Sequence, residues 1–139
     1  MRSDATIVDA RLQDAIAAIE RRLRPAAILI YGSAAAGRLR PDSDVDIGLL
    51  CGDPPPEPFD LALLRTDAAA LLGRDVDLVI LDTASPILAM EVLRQHRVVV
   101  NHRPEVLERF VVKTLGAYFD LKRARQPIEE AVLRQSAHA

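Results

Sequence analysis

Six apolar residues in a row, Ala26-Ala27-Ile28-Leu29-Ile30-Tyr31, follow directly on a stretch of helical periodicity, and this junction constrains the fold more than any other feature of the chain. The run is too short for a buried helix and carries β-branched residues, which predicts a buried strand. Upstream, Val8, Leu12, Ala15, Ile16, Ile19 and Leu23 recur at steps of three and four, predicting an amphipathic helix over Val8 to Arg24 with Thr6 as its N-cap and Pro25 as its end.

Downstream the two kinds of pattern keep alternating. Asp44 to Leu50 reads as a second strand, and the proline-rich Gly52 to Pro58 as a loop. Phe59 to Leu72 reads as a helix with Leu61, Leu64, Ala68, Leu71 and Leu72 inward and Gly73 at its C-cap. Asp75 to Leu81 is a third strand. Ser85-Pro86 supplies an N-cap and a first-turn proline for a helix to about His96, and Arg97 to Val100 suits a short edge strand. Pro104 opens a long helix whose inward face is Leu107, Phe110, Val111, Leu115 and Tyr118. It is expected to end near Arg125, because Pro127 interrupts the pattern. This order predicts an α/β fold, a small mixed β-sheet flanked by helices with a C-terminal helical extension. A length of 139 residues suits a single domain, with a core over about 8–102, the C-terminal helix over about 104–126, and a short helix or tail over 127–139.

Composition narrows the functional classes. The 18 basic and 20 acidic residues leave a net charge of −2, without the basic excess expected of a protein that grips nucleic acid by charge. No apolar run approaches the ~20 residues that cross a bilayer, and Met1 to Arg24 lacks a signal-type apolar core, so a cytoplasmic location without membrane contact is expected. Cys51 is the one cysteine, which excludes an internal disulfide and suits a small residue at a strand end.

The chemistry-bearing residues lie between the first two strands. Asp44 and Asp46 are two apart at the start of a strand, so their side chains share a face. Two such carboxylates repel each other unless a cation lies between them, and hard oxygen donors suit Mg²⁺. Asp75 and Asp77 repeat the spacing on the third strand. If the strands are neighbours, one of these acids completes a triad, and Asp77 is preferred because it lies deeper, between Val76 and Leu78. Three acids can hold two metal ions, as in two-metal displacement at phosphorus. Gly32-Ser33 follows a strand and precedes a helical turn, where glycine lets the backbone approach a phosphate and the hydroxyl and N–H groups can donate to it. Arg38 and Arg40, in the same loop, are either triphosphate contacts or solvated.

Gly32-Ser33, ten residues, then Asp44-Val45-Asp46 resembles the signature of the polymerase-β-like nucleotidyltransferase superfamily. Together with Tyr31, Gly37, Ser43 and Val76-Asp77-Leu78-Val79, it most resembles the minimal (MNT) members. The likeness spans roughly residues 8–100 and is sharpest over 31–48. It implies Asp44, Asp46 and Asp77 as catalytic metal ligands for Mg²⁺, and Gly32 and Ser33 as the nucleotide-binding loop for ATP.

Larger members of the superfamily carry an acceptor-recognition domain for which this chain has no room. Many MNT proteins are antitoxins that transfer AMP to a tyrosine of a HEPN-type ribonuclease toxin, and the short core with a helical tail, including Leu115 to Lys122, resembles these. The resemblance therefore implies a protein adenylyltransferase that associates with such a toxin as a hetero-oligomer and does not itself bind nucleic acid. The alternatives are transfer to a small molecule such as an aminoglycoside, or inhibition by contact alone. Arg97 and His102 have the spacing of a HEPN ribonuclease pair, but Val98-Val99-Val100 favours a strand there. His96 and His138 have no partners at metal-ligand spacing. Lys122, Arg123 and Arg125 read as a solvated helix face or a surface that docks an acidic partner.

Overall fold

A computed structural model of the chain describes residues 4–40, 42–52 and 54–137, with side-chain burial from residue 10 to residue 136 within these. The elements are α1 (Asp4–Leu23), β1 (Ala27–Tyr31), β2 (Val45–Leu50), α2 (Pro58–Leu72), β3 (Val76–Ile80), a 3-10 turn (Leu81–Thr83), α3 (Pro86–Arg94), β4 (His96–Asn101) and α4 (Pro104–Ala137). Among the described residues they form a mixed sheet of order β3-β2-β1-β4 with helices on both faces.

The mixture follows from the connections. β1 is antiparallel to both β2 and β4, whereas β2 and β3 are parallel. Parallel neighbours need a crossover of about a dozen residues or more, and α2 supplies it.

Strand alternation then sorts the core into two layers. Ile28, Ile30, Val45, Ile47, Leu49, Val76 and Leu78 face α1 and α2, where Leu12, Ile16, Ile19, Leu64, Ala68 and Leu72 meet them. Ala27, Leu29, Tyr31 and Leu50 face the other way, onto Leu81, Ala89 and Val92 and onto Phe110 of α4. All five residues of β1 are buried, as its unbroken apolar run requires, whereas β4 at the edge is largely exposed.

Two local devices hold the second layer. A Cβ on Gly48 would lie 2.6 Å from Leu81 Cδ1, so the 3-10 turn settles onto β2 only because that position has no side chain. Asp82 in the same turn accepts from the N–H groups of Cys51 (2.8 Å) and Gly52 (2.9 Å), while Arg103 donates to the Cys51 carbonyl at 2.6 Å. Cys51 itself is buried at the end of β2.

Several boundaries differ from the sequence expectation. α1 already includes Asp4, so Thr6 lies inside the helix and is not its N-cap; the side chain of Val8 is outside the described residues. α3 stops at Arg94, because His96 and Arg97 pair with Tyr31 and Ile30 of β1. Ser85 does cap it, accepting from the Leu88 N–H at 3.2 Å. On α2 the buried row Leu64, Ala68, Leu72 turns Leu71 outward to 42 % exposure. Gly73 is at the expected C-cap, donating to the Ala69 carbonyl.

The largest departure is in α4, which runs through Pro127 to Ala137 instead of breaking there. Proline at this position removes one intrahelical hydrogen bond, to the Arg123 carbonyl. Residues 122–136 are all exposed, so solvent can take up that carbonyl. The inward face of α4 is centred on Phe110 and the buried Thr114, with Leu107, Val111, Leu115 and Tyr118 half-buried beside them. No described helix is long and apolar enough to cross a membrane.

Candidate active site

The expected acids meet at one end of the sheet, on the α3 and α4 side. Val45, Ile47 and Leu49 anchor β2 in the first core layer, and alternation turns Asp46 to the opposite face with Gly48 and Leu50. Val76 and Leu78 do the same for β3, which turns Asp77 to that face. The register sets Asp46 opposite Tyr31 on one side and opposite Asp77 on the other. Three strands thus present Tyr31, Asp46 and Asp77 as a row across the sheet. Asp44 immediately precedes β2 and is exposed, as is Asp77, while Asp46 is half-buried. Asp75 precedes β3, where its carbonyl accepts the Val45 N–H at 3.0 Å.

The turn after β1 closes on this row. Gly32 has φ +69°, and a Cβ there would lie 2.6 Å from Asp46 Oδ2. Any other residue would both strain the backbone and displace the carboxylate. Residues 32–38 wind in a helical sense, with Ala36 N–H donating to Gly32 O (3.2 Å) and Arg38 N–H to Ser33 O (2.9 Å). The N–H groups that open such a winding point away from its own carbonyls, the arrangement that receives anions at helix starts. Ser33, half-buried, lies at that opening.

Both ends of the loop are fastened by residues the sequence did not single out. Gly32 N–H donates to the Gln95 carbonyl at 3.2 Å, and Arg38 Nη2 donates to Gln95 Oε1 at 3.4 Å. Arg74 donates to the carbonyls of Arg40 (2.9 Å) and Ser43 (3.4 Å), binding the far end to the start of β3. Arg40 is exposed, and its N–H donates to Ser43 Oγ at 3.0 Å. Nothing in the local pattern around Gln95 or Arg74 marks them; their partners are distant in sequence.

The electrostatics of the cluster are those of crowded acids. Burial raises the Asp46 carboxyl above the usual carboxylate range, and the charges of Asp77 and Asp44 raise it further. The Tyr31 phenol is pushed up to about 12, first by burial and then by Asp77, Asp46 and Glu91. Tyr31 belonged to the quoted motif without a role, and Glu91 of α3 had no sequence signal. Among the described residues, no group of three or more acid, histidine or cysteine side chains is arranged to hold a metal ion, so the expected triad of Asp44, Asp46 and Asp77 is not drawn together as a ligand set. The cluster is an open set of hard oxygen donors with unrelieved repulsion. That fits a cation such as Mg²⁺, which uses few carboxylates and fills its remaining positions with water and phosphate oxygens.

The other candidates lie elsewhere. Arg97 pairs with Ile30 in the sheet, and His102 is at the opposite end of β1, its N–H on the Ala26 carbonyl and its Nε2 2.8 Å from Glu20 Oε1. His96 Nδ1 lies 3.1 Å from the Leu93 carbonyl. Lys122, Arg123 and Arg125 are exposed on α4, and His138 is outside the described residues.

Known proteins share this architecture. Residues 13–105 match the family model described as polymerase beta, nucleotidyltransferase. The protein adenylyltransferase MntA of Shewanella oneidensis is 34 % identical over 110 residues, covering 79 % of this chain and 78 % of MntA. Among solved structures, a toxin–antitoxin complex with AMP-PNP contains a chain 31 % identical to this one, with a TM-score of 0.73 over 87 % of this chain and 98 % of that one. A complex of a tri-AMPylated Shewanella oneidensis HEPN toxin with its MNT antitoxin matches at 27 % identity and a TM-score of 0.73, over 91 % of this chain and 98 % of the other. A family-model match over residues 13–105, most of its length, makes this chain a member of the polymerase-β nucleotidyltransferase family.

Proposed function

We propose that this chain is a cytoplasmic protein adenylyltransferase, moving AMP from ATP onto a tyrosine hydroxyl of a HEPN-type ribonuclease and thereby silencing it. The observation that carries this reading is the contact of Gly32 with Asp46, which puts a phosphate-type loop directly against a carboxylate pair. In the transfer, the acceptor hydroxyl gives up its proton to solvent as its oxygen forms a bond to the α-phosphorus of ATP, the bond to the β-phosphate bridge breaks, and pyrophosphate leaves. Gly32 and Ser33 receive the triphosphate through N–H and hydroxyl donors, so that the α-phosphorus is held in line with the acceptor. Asp44, Asp46 and Asp77 would hold Mg²⁺, two ions if all three acids serve, and when bound it supplies neutralisation of the triphosphate charge. Gln95 and Arg74 keep the loop and the acids in fixed relation.

Two properties of relatives support the acceptor. MntA is a protein adenylyltransferase, and the solved neighbours include an AMP-PNP complex and an AMPylated HEPN toxin. The test is transfer from α-labelled ATP with Mg²⁺, using a HEPN-type ribonuclease toxin as acceptor. Label on that protein, lost on Asp44→Ala with Asp46→Ala or on chelation of Mg²⁺, is the expected result. Label on an aminoglycoside and not on the protein would move the activity to small molecules. Toxin inhibition with no label at all would reduce the chain to a binding inhibitor.

A further inference from the structure

The buried stripe of α4 does not stop where the body of the protein stops. Phe110 and Thr114 are buried against the second core layer, and Ala117 follows at half burial. The same steps of three and four lead on to Leu121, Ala124, Ile128, Ala131 and Val132, which lie on that one side of the helix. Ile128 is 67 % exposed and Val132 56 %. An inward-type face thus continues past the surface it was packed against.

Such an extension is weak on its own. Isolated helices shorter than ~12–15 residues are marginal in water, and an interior proline weakens them further. Pro127 sits in the middle of this extension.

We propose that the distal half of α4, through Leu121, Ala124, Ile128 and Val132, is the docking surface for the protein acceptor, a HEPN-type partner that receives it as a helix in an apolar groove. This rests on the functional reading above and adds to it the surface by which the acceptor is held. A second copy of this chain is disfavoured by size. The distal stripe is about two heptads long with alanine at two of its five apolar positions, so paired copies would bury far less than the ~800 Å² per partner of a stable interface. An acceptor protein can supply the missing area elsewhere. α4 packs on the same face of the sheet as Asp46 and Asp77, so a protein seated on its extension lies on the side of the sheet that carries the acids.

The experiment compares two paired variants for binding to the HEPN-type ribonuclease toxin used as acceptor above. Ile128→Glu with Val132→Glu changes the distal stripe. Phe59→Glu with Leu63→Glu changes exposed apolar residues of α2, on the other side of the sheet, at 72 % and 43 % exposure. All four side chains are solvent-exposed, and circular dichroism with thermal melting checks that each variant is folded. The expected result is at least a tenfold loss of affinity for the α4 pair, less than twofold for the α2 pair, and slowed amide exchange over residues 122–136 of the wild type on complex formation. Wild-type affinity in the α4 pair, a larger loss in the α2 pair, or an α4-dependent dimer of the chain alone overturns the docking surface while leaving the transferase reading intact. A wild-type chain that neither binds nor labels the HEPN protein overturns that reading and this inference with it.

Discussion

An alanine at Gly32 meets two separate costs, and a second glycine in the same loop separates them. Gly32 and Gly37 both have φ +69°, a left-handed conformation that costs an L-residue roughly 1–2 kcal/mol. That cost lowers Tm by about 4 °C per kcal/mol for a chain of this size. Both variants should therefore lose similar stability. Only at Gly32 does the new methyl collide with the site, 2.6 Å from Asp46 Oδ2, where ordinary contact begins at 3.4 Å; at Gly37 it meets nothing within 4 Å. The carboxylate must therefore retreat by about 0.8 Å, and a misplacement near 1 Å at a reacting centre costs on the order of 10²-fold in rate. Single-turnover transfer of labelled AMP, measured beside calorimetric Tm, should show Gly32→Ala slowed about 10²-fold and Gly37→Ala within a few-fold of wild type. Equal rates in the two variants, at whatever stability, would refute the claim that the glycine exists to admit the carboxylate.

Three further outcomes follow from particular contacts. The folded Asp46 carboxyl is raised above its ordinary 3.8, so its charge costs nothing at low pH, and the folded state loses stability relative to the unfolded one as pH rises through the raised value. Asp46→Asn should therefore raise the Tm of the Mg²⁺-free protein at pH 7 but leave it unchanged near pH 3, and a lower Tm at neutrality would contradict the crowding of the acids. Asp82→Ala removes two charge-assisted acceptors from Cys51 and Gly52 and should cost about 2 kcal/mol in urea unfolding, and a cost below about 0.5 would mean that water replaces them fully. Ser85→Ala should cost about 1 kcal/mol through its lost cap on Leu88, with Ser85→Gly costing less.

What the sequence revealed and what it concealed divide along the range of the interactions. The order of helices and strands is carried by periodicity within each segment, and all of it appears in the fold. The Gly32-Ser33 and Asp44-Val45-Asp46 pieces were legible because their spacing is local. The partnership of Asp46 with Asp77 depended on which strands are neighbours, which the crossover through α2 decides. Gln95 and Arg74 were invisible because their roles lie wholly in contacts across the chain. Pro127 misled for the opposite reason: its local penalty is real, but the surrounding helix is exposed enough to tolerate it. The end of α3 was misjudged because pairing with β1 outweighs helical pattern at His96.

The parallel pairing of β2 with β3 makes the greasy residues a ruler for the charged ones. If β3 slid by a single residue, Val76 and Leu78 would be thrown into water and Asp77 driven into oil, a penalty no isolated acid could offset. Misalignment of the acid row and collapse of the interior are therefore the same event, and the chain has no way to be folded yet out of true.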